Sequence, residues 1–285
     1  MLTLDPKELA IPILQKYLQN AIAPRPICFA STVNKEGEPN LAPFSFFNLF
    51  SSNPPIAVFS PAYSGRTGAA KDTLLNVHEV PEVVINVVNH NMVQQTSLAS
   101  SPFAKGVNEF IKAGFTPLVS DLVKPFRVKE SPVQLECRVT EVKELGKLGG
   151  AGNLVICEIL RIHIDRSILN DDNHIDTKKI DLVARMGDNW YCRAHGEALF
   201  EVKKPITTIG IGMDQIPLEI RNSRVLTGNN LGLLGSTEEK EMPTLEEISE
   251  FKKTLKPFST TEEQHHFAKT LLETNKVKEA WMVLL

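Results

Sequence analysis

The stretch NLAPFSFFNLFSSNPPIAVFS, residues 40–60, decides the fold, because its apolar runs predict strands of a buried sheet. Four polar side chains interrupt these runs, namely those of Asn40, Ser45, Asn48 and Ser60. A polar group within an apolar strand needs a hydrogen-bond partner. That partner belongs either to the protein itself or to a ligand that the sheet holds.

The neighbouring residues extend this stretch into a β-hairpin and a third strand. ICFASTV, at 27–33, and LAPFSFFNLF, at 41–50, flank the turn NKEGEPN with its central glycine. PPIAVFS, at 54–60, follows an Asn-Pro break and predicts the third strand. Pro43 has no N–H group to donate, so we expect its strand at a sheet edge or at a bulge.

The remaining pattern predicts a mainly β fold with inserted helices. Further strand-like runs lie at 82–89, 133–142, 153–165 and 180–193. Helical segments at 65–80 and 89–115 lie before and after the first of these runs. This order favours a β-barrel with helical excursions over a sheet built from βαβ units.

Both ends of the chain are predicted to be helical. Asp5 is expected to cap a lead-in helix that starts at Pro6, with Pro12 disturbing its middle. After residue 204 the sequence carries amphipathic helical patterns instead of strand patterns. We therefore expect two domains, a sheet domain over 1–204 and a helical C-terminal extension over 205–285.

Composition excludes several classes of function. The formal net charge is −3 and there is no long block of like charges, so nucleic acid is not an expected partner. No uncharged apolar run reaches the roughly 18 residues of a membrane span, and we expect a cytoplasmic protein without a membrane partner. The four cysteines lie far apart, which favours reduced core thiols over disulfides or metal ligands.

The common catalytic motifs are absent from the sequence. GIGMDQ, at 210–215, fails the last position of the dinucleotide-binding fingerprint, and no phosphate-binding P-loop or zinc-protease motif is present. His265 and His266 are adjacent and so point in different directions on a helix, which predicts solvated surface histidines and no metal site. His163 lies in a strand in which apolar and polar residues alternate. A hydrogen-bonded histidine with a structural role is the simplest interpretation there.

Seven segments taken in order resemble the flavin reductase-like family of FMN-binding split barrels, which includes flavoredoxin and the reductase components of two-component monooxygenases. They are APRPICFASTVNKEGEPNLAPFSFF, NPPIAVFS, KDTLLNV, EVVINVVN, SPVQLECRV, ILRIHID and LVARMGDNWY. They cover roughly residues 20–195. The resemblance implies a split β-barrel, a homodimer and bound FMN. The Cys28-Phe29 pair and the long C-terminal extension depart from the family pattern.

The resemblance also implies which residues contact the cofactor. FMN has an apolar ring with one hydrogen-bonding edge, and its phosphate needs donors or cations. By position in the family pattern, eight residues are expected to bind it: Ser31, Thr32, Asn40, Ala42, Ser45, Lys71, Asp72 and Thr73. Four more are expected near the flavin or the nicotinamide: His163, Arg185, Trp190 and Tyr191. No catalytic residue is assigned, because the cofactor carries the chemistry.

Five of the eight expected cofactor residues also have a structural interpretation. Asn40 follows a turn that it could hold closed, and Ser45 could bond within its own strand. Lys71 could be a solvated surface lysine. Asp72 or Thr73 could cap a helix that begins at KDT, where free N–H groups favour an anion.

Three functions remain open from the sequence. The first is an FMN-dependent NAD(P)H:flavin oxidoreductase that passes electrons to flavin, oxygen or a partner oxygenase or electron-transfer protein. The second is a flavoredoxin-like electron carrier. The third is a barrel that binds an apolar metabolite without redox chemistry.

Overall fold

The computed structural model describes all 285 residues and divides them into two compact units, Met1–Phe200 and Glu201–Leu285. The strands, all in the first unit, are β1 (Cys28–Val33), β2 (Pro39–Phe44), β3 (Phe47–Ser52), β4 (Pro55–Phe59), β5 (Glu82–Val87), β6 (Pro117–Leu118), β7 (Arg127–Val128), β8 (Val133–Glu144), β9 (Asn153–Ile164), β10 (Val183–Arg185) and β11 (Tyr191–Arg193). The helices are α1 (Ile11–Ala21), α2 (Asp72–Glu79), α3 (Val93–Ala99), α4 (Glu109–Ala113), α5 (Leu218–Arg221), α6 (Gly228–Gly235), α7 (Leu245–Lys253), α8 (Thr261–Glu273) and α9 (Val277–Leu284). None of them combines the length and hydropathy that crossing a membrane requires.

Seven strands form one antiparallel sheet in the order β2-β1-β5-β8-β9-β4-β3. The predicted hairpin of β1 and β2 is confirmed, and Pro43 lies in an edge strand as expected. The single strand predicted over 41–50 is wrong, because the chain breaks at Ser45 and Phe46. The two halves then pair with different partners, β2 with β1 and β3 with β4, and lie at opposite edges of the sheet.

Alternate residues of β1 face two separate apolar clusters. Cys28 and Ala30 pack in a cluster that includes residues of α2, whereas Phe29 packs in a cluster that includes residues of α3 and α4. All four cysteines are free thiols, and three of them are buried in the first of these clusters, as the sequence predicted. The sheet therefore separates a face under α2 from a face under α3 and α4.

The lead-in helix differs from its prediction. Asp5 accepts a hydrogen bond from the amide of Lys7 and caps only a short 3-10 turn, Pro6–Glu8. Helix α1 starts afresh at Ile11, which places Pro12 in its first turn. Proline is tolerated there because the first helical N–H groups have no partner within the helix.

The second unit is helical and has a core of its own around the fully buried Trp281. The indole Nε1 donates to Thr237 Oγ1 at 3.0 Å, which satisfies the one polar atom of that side chain. The prediction that His265 is a solvated surface residue is wrong. His265 is buried in α8, and its Nδ1 is hydrogen-bonded to Ser223 Oγ at 2.7 Å.

Candidate functional site

Three of the predicted cofactor residues meet where β1, β2 and α2 come together. Asn40 Nδ2 donates to Thr73 Oγ1 at 2.9 Å and to Thr32 Oγ1 at 3.2 Å. Thr32 Oγ1 also accepts from Asn76 Nδ2 at 3.1 Å. Because Thr32 is paired with Asn40 in the β1–β2 register, this polar cluster joins the sheet edge to the helix. Asn76, which the sequence did not single out, completes it.

The start of α2 presents unbonded backbone donors. Lys71 occupies the N-cap position and makes no capping hydrogen bond through its side chain, so the prediction that Asp72 or Thr73 caps the helix is wrong. The carbonyl of Lys71 accepts from the amide of Leu74, but the amides of Asp72 and Thr73 have no partner in the protein. Free N–H groups and the positive end of the helix dipole favour an anion at this position.

The side chains of Ser31 and Thr32 point to opposite faces of the sheet, because they are consecutive in β1. Ser31 is fully buried on the face of Phe29, and its Oγ has no hydrogen-bond partner. Ala42 lies in β2 two residues after Asn40, on the face of Thr32. The geometry therefore brings Thr32, Asn40 and Ala42 to one face and separates the side chain of Ser31 from them.

Two other polar side chains of the opening stretch are satisfied within the protein. Ser60 Oγ accepts from the amide of Asn153 at 3.0 Å, which links the end of β4 to the start of β9. Asn48 Oδ1 accepts from the amide of Leu49 at 2.8 Å. Ser60 therefore supports the sheet, and Asn48 is satisfied by its own neighbour. Asn40 also bonds within the protein, but Asn40 and Ser45 are the two that line cavities.

A cavity of about 780 Å³ opens at the other end of β2. Three of the predicted residues, Ser45, Arg185 and Tyr191, line it. The rest of its wall combines apolar side chains with hydroxyl, amide, imidazole and guanidinium groups, including those of Ile27, Pro43, Phe44, His90, Val93, Gln94, Ser97, Val183, Asn189 and Arg193. Trp190 and His163 do not line it, and Trp190 is largely exposed at 75%.

Arg25, which the sequence reasoning did not select, holds this end of the sheet together. The guanidinium is buried and donates to the carbonyls of Gln19, Ile22 and Met186. Its Nε also approaches Ser45 Oγ at 3.4 Å. One side chain thus ties the end of α1 and the turn after β10 to Ser45. Burial lowers the pKa of Arg25, and the neighbouring Arg185 lowers it further.

His163 is held by a buried carboxylate. Its Nε2 lies 2.7 Å from Glu136 Oε1, and Glu136 also accepts from the amides of Asp121 at 2.8 Å and Leu122 at 2.6 Å. Burial raises the pKa of Glu136, but these donors outweigh it and the net shift is downward. Although the ligand atoms of Asp121, Glu136 and His163 lie within 4.8 Å, Arg161 already pairs with Asp121 at 2.6 Å. The group is an ion-pair network that fixes His163.

A second cavity, of about 730 Å³, borders the polar cluster and is lined by Asn40, Asp72 and Asn76 among others. Its charged lining residues are Lys35, Glu36, Glu38, Asp72, Glu79 and Lys105, so carboxylates outnumber lysines. Burial raises the pKa of the nearby Glu109, and the charge of Asp72 adds to that shift. The region next to the start of α2 therefore carries negative side chains around the open amides.

Comparison with known proteins identifies the family. The model of the flavin reductase like domain matches residues 21–178. The chain belongs to the flavin reductase-like family. An uncharacterised family relative from Aquifex aeolicus is 33% identical over 189 residues, which is 66% of this chain and 94% of the relative.

Two solved structures share the fold of this family member. Component B of nitrilotriacetate monooxygenase from Bacillus cereus is 28% identical and superposes with a TM-score of 0.66, covering 71% of this chain and 98% of that one. A protein with a split barrel domain from Shewanella frigidimarina NCIMB 400 has a TM-score of 0.59 at 23% identity, covering 70% and 95%. The seven-stranded sheet with its inserted helices is thus the fold of split-barrel relatives. Family membership supports a flavin-related oxidoreductase function.

The chemical groups at this site are of the types that a flavin mononucleotide needs. The family site needs donors for a phosphate, and the start of α2 offers two free amides beside Lys71, which makes no ion pair. It also needs an apolar wall with a few polar groups, which Ala42, Phe44 and Ser45 provide along one rim of the sheet.

Proposed function

We propose that this chain is an FMN-dependent NAD(P)H:flavin oxidoreductase. The observation that carries the proposal is the uncapped start of α2, where free amides and Lys71 adjoin the cluster of Thr32, Asn40 and Thr73. The similarity to component B of nitrilotriacetate monooxygenase supports a reductase that works with an oxygenase. FMN is proposed over FAD because no additional adenylate-binding pattern is present in the sequence.

In this proposal the flavin extends along β2. The phosphate lies at the start of α2, where Lys71 supplies a cation and the amides of Asp72 and Thr73 supply donors. The ring lies toward Ser45 against the apolar rim. Strand residues advance about 3.3 Å each, so Asn40 and Phe44, the last residue of β2, lie roughly 13 Å apart along the strand, enough to separate two ends of one ligand. When bound, the flavin accepts hydride from a nicotinamide and passes electrons on.

The remaining predicted residues have proposed supporting roles. Arg185 and Tyr191 line the cavity at the ring end, where they can orient a nicotinamide. Trp190 lies between two lining residues and is exposed to solvent. Glu136 accepts a hydrogen bond from His163 Nε2 at 2.7 Å when that nitrogen is protonated, which orients the ring. The electron acceptor is free flavin, oxygen or a partner protein such as an oxygenase.

We also propose a homodimer that forms through the outer end of the sheet. Leu49 and Phe50 of β3 are exposed at 57% and 69%, and Ile162 of β9 is exposed at 55%. Exposed apolar side chains on a sheet with a free edge strand are a common basis for association. A second copy of this chain would cover them.

Two measurements test the function. Purified protein is incubated with FMN and desalted, and the bound flavin is released by heat and identified by chromatography. The loaded protein is then titrated anaerobically with NADH and with NADPH. Bleaching by either nucleotide supports the reductase, whereas a yellow protein that neither nucleotide bleaches is an electron carrier. A protein that retains no flavin, and that does not accelerate oxidation of NADH or NADPH when free FMN is supplied, would refute both.

A further inference from the structure

The helical unit buries a histidine against the connection between two of its helices. His265 of α8 is 7% exposed, whereas the neighbouring His266 is exposed. The Nδ1 atom of His265 is hydrogen-bonded to Ser223 Oγ at 2.7 Å. Ser223 lies in the turn at 223–226, between α5 and α6. This bond, the Ser223–His265 contact, therefore links the turn to α8.

The other hydrogen bonds of Ser223 determine which partner donates in this contact. Ser223 Oγ accepts from the amides of Val225 and Leu226, at 3.1 Å each. A hydroxyl group has two lone pairs and one proton, so a hydroxyl whose lone pairs are both used must donate to its third partner. Ser223 therefore donates to His265 Nδ1. That bond requires the neutral imidazole, with its proton on Nε2.

Protonation of His265 is incompatible with this arrangement. The added proton goes to Nδ1, because Nε2 already carries one, and both ring nitrogens are then donors. Two donors would face each other across the 2.7 Å contact. Ser223 can accept from the charged imidazole only if the amide of Val225 or Leu226 gives up its bond to Oγ.

The turn also contributes to the core of the helical unit. Ile220 precedes the turn, Leu226 ends it, and both are buried in the cluster that contains Trp281. His265 lies on the same buried face of α8 as Ala268 and Leu272, which belong to that cluster. Release of the turn would therefore loosen the packing of the unit.

No charged group compensates for a proton on His265. Its contact with Ser223 is its one hydrogen bond within the protein. Burial alone lowers the pKa of His265, without a contribution from any neighbouring charge. α6, which packs against α8, has no ionisable side chain. The ionisable residues nearest in α8, next to the turn and in α9 are Glu262, Glu263, His266, Lys269, Arg221, Arg224, Lys278 and Glu279.

We propose that the Ser223–His265 contact is a pH-sensitive switch of the helical unit. It holds the turn at 223–226 against α8 while the imidazole is neutral, and protonation of Nδ1 releases the turn. The inference goes beyond the proposed function, because it concerns the helical unit alone and involves neither flavin nor nicotinamide.

The direction of the effect follows from proton linkage. The pKa of His265 in the folded unit is lower than the ordinary value of 6.5, so the open form binds a proton more readily than the closed form. The contact stabilises the closed form fully above pH 6.5. That stabilisation is lost as the pH falls from there through the folded pKa.

Hydrogen exchange of the full chain tests the proposal. Wild type, H265Q and the control H266Q are compared between about pH 7 and pH 5, the range in which histidine changes charge. The amides of Val225 and Leu226 are the reporters, and their rates are corrected for the intrinsic effect of pH. Wild type and H266Q should lose protection about tenfold for each pH unit below the ordinary pKa, since opening takes up one proton. H265Q cannot be protonated and should show no such dependence.

Proton NMR of the same chain separates the contact from burial. The pKa of His265 should lie below 6.5 in the wild type, and S223A should raise it, because the hydroxyl that favours the neutral ring is removed. S223A also serves if H265Q does not fold. Protection in wild type that does not change with pH, the same pH dependence in H265Q, or a pKa that S223A does not raise would overturn the proposal. Neither measurement involves the flavin, so its outcome is independent of the proposed function.

Discussion

Replacing Lys71 with alanine isolates the proposed phosphate contact. Lys71 is exposed, forms no ion pair and does not cap α2 through its side chain, so its removal should change the free energy of unfolding by no more than about 0.5 kcal/mol. A charge-assisted hydrogen bond to an anion contributes about 1.5–3 kcal/mol, or about 10- to 100-fold in affinity. Solvent exposure and the adjacent Asp72 both weaken the contact, which favours the lower end, about tenfold.

The assay compares two ligands and two lysines. Dissociation constants for FMN and riboflavin are measured by flavin fluorescence for wild type, K71A and K143A. Lys143 is the matched control, since it is exposed as Lys71 is but lines neither cavity. K71A should lose about tenfold for FMN and nothing for riboflavin, which has no phosphate. An unchanged FMN constant, or equal losses for both ligands, would refute the phosphate assignment.

Three further outcomes follow from the geometry. E136Q should lower stability by roughly 1.5–3 kcal/mol, because the amide cannot accept every donor that the carboxylate accepts. The pKa of Glu136 is lower in the folded protein than the ordinary value of 4.5, so the carboxylate stabilises the fold fully above pH 4.5 and loses that effect as the pH falls through the folded pKa. Thermal melts at falling pH should therefore show wild type losing more stability than E136Q. Ellman's reagent should modify one thiol, Cys192, in the native protein. The other three cysteines are buried, and burial raises the pKa of Cys137 to about 12. Rapid modification of more than one thiol would contradict this. I162D should yield monomers in analytical ultracentrifugation while I111D, which changes an exposed isoleucine of α4, stays dimeric; two dimers would exclude the proposed interface.

Local patterns predicted the part of the site that one hairpin builds. The alternation on both sides of NKEGEPN predicts β1 and β2, and their register then places Thr32 opposite Asn40. The structural interpretation that Asn40 closes the turn is not what the geometry shows. Asn34 and Glu38 close it through bonds of 2.8 Å, and Asn40 is left to reach α2.

The surroundings of the cavity at Ser45 could not be predicted in the same way. Arg25, Ser45 and Arg185 are separated by up to 160 positions, and only the tertiary fold brings them together. Arg25 carried one detectable signal, because a charged residue between two prolines at the entrance to a buried strand must find partners inside the protein.

His265 shows an error that the sequence could have prevented. The adjacent histidines and the charged residues around them favoured a solvated helix face. Ala268 and Leu272 follow at positions three and seven residues later, however, and these are the spacings of one helix face. All three residues are buried in the structure. The helical spacing that places His265 on the same face as Ala268 and Leu272 therefore predicts its burial correctly.

The central claim is that this chain binds FMN and reduces it with a nicotinamide. The most direct test is an anaerobic absorbance titration of FMN-loaded, desalted protein with NADH and NADPH. The account predicts that flavin absorbance persists through desalting and is bleached by at least one nucleotide, with one equivalent per flavin. Loss of all flavin on desalting, together with no acceleration of NADH or NADPH oxidation when free FMN is supplied, would contradict it.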